Sequence, residues 1–108
     1  MAFKIGKNRD ENDTVTVSTA TINSTTATKL LDANANRISV TISFENDVYP
    51  ENWQTVYIRE YAAATDNTKK GVPLYPGGCV IMETNAIYPG EISAISEKSD
   101  VTLQIQEK

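Results

Sequence analysis

The chain contains no histidine and a single cysteine among its 108 residues. Without histidine, the usual general base at neutral pH and the commonest metal ligand are both missing. One cysteine allows no intramolecular disulfide. Cys79 follows Gly78 and precedes Val80, Ile81 and Met82. No neighbouring base or positive charge is there to make its thiol a nucleophile, so it reads as a small strand residue. No apolar run approaches the roughly 20 residues that cross a membrane as a helix. The opening MAFKIGKNRDEND has no apolar leader core, which sets the expectation of synthesis in the cytoplasm without export by the usual route. Positive charge is also scarce: 10 Lys and Arg stand against 14 Asp and Glu, a net charge of −4. The one adjacent basic pair, Lys69-Lys70, is too little for a nucleic-acid footprint.

The remaining routes to chemistry are thin. The carboxylates are scattered through turns. DEND at 10–13 lacks the glycine and the terminal glutamate of a calcium loop. PGGCV lacks the spacing and the following helix of a phosphate loop. No catalytic, cofactor-binding or metal-ligating residue is expected.

Threonine, serine and asparagine are abundant, a bias toward strands and turns. The stretch LLDANANRISVTIS, residues 30–43, shows both at once. Asp32, Asn34 and Asn36 can bond their own backbone and reverse the chain without glycine. After them, Ile38, Val40, Ile42 and Phe44 alternate with Arg37, Ser39, Thr41 and Ser43. The first set is expected to face a core and the second, beginning at Arg37, to face water. Burying the four apolar side chains would contribute about 6–12 kcal/mol as an upper bound. VTLQIQE repeats the pattern with Val101, Leu103 and Ile105 inward. Ile38, Val40, Ile42, Leu103 and Ile105 are thus expected in one core.

Other strands are weaker in pattern. TVTV at 14–17 alternates, but its phase slips near Ser18 and Thr19, which suggests a bulge or bend. TTATKLL, CVIMET and EISAIS read as strands, the last with imperfect spacing. GVPLYPGG reads as a constrained, non-regular crossing. The spacing predicts an all-β fold: a compact antiparallel β-sandwich, jelly-roll or Ig-like, of about seven or eight short strands over residues 14–108. Residues 1–13 form an N-terminal arm, either a solvated tail or a strand that adds to a neighbour with Phe3 and Ile5 on one face.

WQTVYIREY places Val56 and Ile58 opposite Trp53, Tyr57, Arg59 and Tyr61. Aromatics with arginine are enriched at interface hot spots, and they are also ordinary cross-strand neighbours on a wet face. Phe3, Ile5, Trp53, Tyr57, Arg59 and Tyr61 form the candidate interface set.

The segment ATKLLDANANRISVTIS resembles a unit of small tailed-bacteriophage virion proteins, A-T-x-L-L-x-A-N-x-N-R-x-S, which opens a small β-sandwich. A G-x-x-L-x-P-G-G element matches at Gly71, Leu74, Pro76, Gly77 and Gly78. A closing stretch matches at Gly90, Ile92, Ala94, Ile95 and Ser96, then at Val101, Leu103, Ile105 and Glu107. The resemblance covers most of the chain from Ala27 onward; the first two dozen residues and the loop at 47–52 fall outside it. It implies a non-enzymatic virion protein similar to capsid decoration (cement) proteins. Such a protein is made in the host cytoplasm and binds a major capsid protein or other virion proteins as a homo-oligomer, with a trimer the leading guess. The acidic charge balance and the lack of a long apolar run set the further expectation of no contact with nucleic acid or membrane. A carbohydrate- or receptor-binding module of a fibre, tail or adsorption device, with Trp53, Tyr57 and Tyr61 stacking on sugars, is the alternative.

Overall fold

The computed structural model describes residues 15–45, 53–83 and 86–108. Among these residues, eight strands form two antiparallel sheets. They are β1 (Thr16–Ile22), β2 (Thr28–Leu31), β3 (Ser39–Phe44), β4 (Val56–Arg59), β5 (Val72–Leu74), β6 (Cys79–Glu83), β7 (Ile92–Ser96) and β8 (Val101–Glu107). The sheet orders are β1-β8-β3-β6 and β2-β7-β4-β5. Strand 1 pairs with 8, 2 with 7, 3 with 6 and 4 with 5. This is a long hairpin rolled on itself, with β3–β8 and β4–β7 as the pairings that the roll adds. The topology is a jelly roll; of the two sandwiches open to the sequence, this is the one formed. Each strand runs opposite to the next. The β2–β3, β4–β5 and β6–β7 connections therefore gather at one end of the sandwich, and β1–β2, β3–β4, β5–β6 and β7–β8 at the other.

One core fills the space between the sheets. Val40, Ile42 and Phe44 of β3 and Val101, Leu103 and Ile105 of β8 meet Val56, Ile58, Ile92 and Ala94 of the other sheet. Ile38 does not join them and is 42% exposed. Its parity is right, but the β3 ladders begin at Ser39 and Val40. Alternation sets the direction of a side chain, and past the last paired residue no facing sheet covers it. Arg37 departs from expectation in the other direction. It does not open a wet face; it is buried.

Strand β1 carries no bulge. Its register with β8 runs unbroken from Thr16–Glu107 to Ile22–Val101. The slipped hydrophobic phase has a different origin. Ser18, Ala20 and Ile22 turn toward the core while Val15 and Val17 lie on the outer face, exposed. GVPLYPGG is not wholly irregular either, since it holds β5 as an edge strand. The imperfect spacing of EISAIS is also explained: all five residues of β7 are buried, so neither face shows water and no alternation is needed.

The outer face of β7 and β4 lies against the long 60–71 connection. Ala63 N–H donates to Glu91 Oε2 at 2.7 Å, Ser93 Oγ donates to the Tyr61 carbonyl at 2.8 Å, and Ala27 N–H donates to Asn67 Oδ1 at 2.9 Å. Gly71 closes this connection at φ +136°, and a Cβ there would stand 2.3 Å from the Ile58 carbonyl oxygen. Gly71→Ala combines a left-handed backbone with a clash against immovable main chain. It is expected to lower stability by at least the roughly 1–3 kcal/mol of such strain. Urea unfolding should show a lower midpoint at unchanged slope.

Candidate functional site

Two buried arginines limit which surface is left for function. Arg37 sits in the β2–β3 turn with a fully buried side chain. Nε–H donates to Glu107 Oε2 at 2.8 Å, one terminal nitrogen donates to the Tyr88 and Gly90 carbonyls, and the other to the Asp32 carbonyl at 2.7 Å. Asn34 Nδ2 adds a 3.3 Å contact to the same Glu107 oxygen, and Asn34 Oδ1 accepts from Asn36 N–H. The rigid guanidinium fork thus ties the β2–β3 turn, the β6–β7 connection and the end of β8. Gly77 and Gly78 exchange main-chain bonds with Phe44.

Arg59 was a candidate interface residue, and its position argues against that. It is 0% exposed. Nε–H donates to Ser93 Oγ at 3.0 Å, and the terminal nitrogens reach the Thr68 and Ala62 carbonyls at 3.3 and 3.4 Å. The guanidinium carbon lies 4.4 Å from the Tyr61 ring centroid, and a terminal nitrogen lies 3.6 Å from Asp66 Oδ1. The Thr68 hydroxyl and N–H, ahead of the Arg59 charge, hold the Asp66 carboxyl below its ordinary range. The 60–71 connection is wrapped around this arginine, which therefore cannot meet a partner. Tyr61 is half-buried as its cap.

The exposed aromatic feature lies at the opposite end. Trp53 stacks on Tyr75, with ring centroids 5.4 Å apart and planes 16° from parallel. The two residues are 47% and 48% exposed. Trp53 leads into β4 and Tyr75 leaves β5, whose register pairs Val56 with Leu74, so the β4–β5 ladder delivers the two rings side by side. The base beneath them is fixed by Gln54, which is buried. Its Oε1 accepts from the Lys98 and Ser99 N–H groups, and its Nε2 donates to Ser99 Oγ. Thr55 N–H donates to Glu97 Oε1 at 3.0 Å. These bonds lock the backbone that follows Trp53 to the β7–β8 turn.

Of the candidate set, Trp53 lies on this surface. Tyr57 is half-buried and Tyr61 belongs to the Arg59 assembly, so the three aromatics do not form one platform. Phe3 and Ile5 lie outside the described residues. Tyr75 was missed, and the signal for it was an aromatic placed between Leu74 and Pro76 in a turn-rich segment. Cys79 is an exposed strand residue. Among the described residues, no three His, Cys, Asp or Glu side chains converge as metal ligands, and no helix is long and apolar enough to cross a membrane. The stack offers two flat, partly apolar faces with polar edges, suited to an apolar partner residue or a sugar ring. No protein-family model, curated protein or solved structure gives a significant match to the chain.

Proposed function

We propose that this chain is a non-enzymatic structural protein of a tailed-bacteriophage virion that coats the outside of the head as a decoration protein. It binds a lattice of capsid subunits in many copies and reinforces it. The observation that carries this reading is the run of matches to the virion-protein pattern from Ala27 to Glu107, joined by bonds that give each matched turn a mechanical role. The jelly roll supports the class, since viral capsid domains use it; fold alone does not decide the role. The Trp53–Tyr75 stack is the surface offered to the lattice.

A second reading has its own observation. Jelly rolls also serve as lectins, and an exposed, locked aromatic pair suits a sugar face. The chain has one tryptophan, so Trp53 emission reports on the site without a label. Under the decoration reading, emission shifts to the blue on adding purified particles that lack the protein, and Trp53→Ala with Tyr75→Ala weakens that binding roughly 30-fold or more, the scale of a hot spot. Emission that responds to free oligosaccharides and ignores particles moves the assignment to a sugar reader. Imaging of the intact particle then gives the location directly.

A further inference from the structure

Sheet edges invite pairing with other chains, and proteins normally blunt them with shortness, charge, proline or a bulge. The two sheets here end in β1, β6, β2 and β5. Strand β5 has three residues with Pro73 at its centre. Strand β2 has four, with an exposed lysine at Lys29 and a register shift between Lys29 and Leu31. Strand β6 ends in the exposed Glu83. Strand β1 has no such device. Its seven residues, TVSTATI, include no charge, proline or glycine, and its register with β8 is unbroken. Among the described residues, no strand pairs with its open side. Val17, 66% exposed, stands on its outer face.

We propose that β1 is a self-association edge: two copies pair antiparallel through β1 about a twofold axis, joining two four-stranded sheets into one of eight strands. A second copy is the partner that this edge suits. A molecule of net charge −4 repels its own kind wherever acidic surfaces meet. Two copies meeting at β6 would bring their Glu83 residues to one seam, and at β2 their Lys29 residues to an irregular one. At β1 they meet without opposing charges. A twofold centred on Thr19 sets Thr19 against itself and Val17 against Thr21, pairings of the kind that stabilise antiparallel strands. The contact is isologous, so it closes at two copies and does not propagate. The resulting unit is a dimer, where the resemblance to decoration proteins implies a threefold, and it holds whether or not the chain belongs to a virion.

The test is sedimentation of the full chain over a concentration series, with hydrogen exchange read at β1. The wild type is expected to reach a dimer with alternate β1 amides newly protected. Thr19→Lys, at an exposed position on the axis, should raise the dissociation constant tenfold or more while the monomer still melts cooperatively. Val17→Lys is the second variant should the first fold poorly. Thr102→Lys, one strand inward on the same face, should leave the dimer intact; if it breaks the dimer equally, the contact is face to face and the proposal fails. A wild type that stays monomeric overturns it, including the case in which β1 is protected by the first fourteen residues of its own chain. A dimer that neither Thr19→Lys nor Val17→Lys weakens overturns it as well.

Discussion

Arg37→Ala is expected to lower the free energy of unfolding by about 3–5 kcal/mol, the scale of breaking a buried ion pair by removing one partner. A domain of this size has roughly 5–15 kcal/mol in total, so the loss is a substantial fraction of the whole. The loss has two parts. Glu107 keeps partial access to water, its side chain being 17% exposed, so it can recover some hydration. The carbonyls of Asp32, Tyr88 and Gly90 lose their donor and gain no protein replacement. Arg37→Lys restores the charge but offers one compact ammonium in place of a planar fork, so it should recover only a minor part. Glu107→Gln keeps an acceptor oxygen for Nε–H and should cost about 1–2 kcal/mol. Urea titration of the three variants checks the order Ala, Lys, Gln from most to least damaging. If Arg37→Ala shifts stability by less than about 1 kcal/mol, the guanidinium does not fasten that end of the sandwich.

How much of this was legible in the sequence depends on how many faces each strand shows to water. Strands β3 and β8 have one wet face, and their alternation named Val40, Ile42, Leu103 and Ile105 correctly. Strand β7 has none, so period two carries little information there and the strand looked irregular. Strand β1 lies at an edge and tolerates valine outside, which imitated a slip of register. The all-β class was readable because turn residues recur at short intervals. The roll was not, because a strand order depends on pairings between residues as far apart as Thr16 and Glu107. Both buried arginines misled for a shared reason. A charge in a strand-like pattern reads as an outward position, and only the fold shows that Arg37 meets the Tyr88 and Gly90 carbonyls and that Arg59 meets Ser93 Oγ. The Trp53–Tyr75 stack was half visible: Trp53 stood out, while its partner became a neighbour only through the β4–β5 ladder.

The core of the sandwich can be tested at two positions of one strand. Val40→Asp is expected to abolish cooperative folding. Val40 is 0% exposed where the β3 ladders begin, paired with Met82 on one side and Glu107 on the other. A carboxylate placed there must either stay charged in an apolar space or take up a proton, and each choice costs several kcal/mol. The side chain would also stand on the same face as Glu107, beside an acid that Arg37 already holds. Lost apolar burial adds to the penalty, since valine's methyl groups, clustered with Ile42 and Ile105, are replaced by carboxylate oxygens. Ile38→Asp is the matched comparison: the same charge, two residues earlier, with the same strand parity. Ile38 lies beyond the β3 ladders and is 42% exposed, so the new carboxylate keeps its water and the change should stay within about 1 kcal/mol. Thermal melts followed by circular dichroism should give a featureless trace for Val40→Asp and a near-native midpoint for Ile38→Asp. Equal damage at both positions would mean that the core extends past the paired end of β3; equal tolerance would mean that β3 does not face the core in this register.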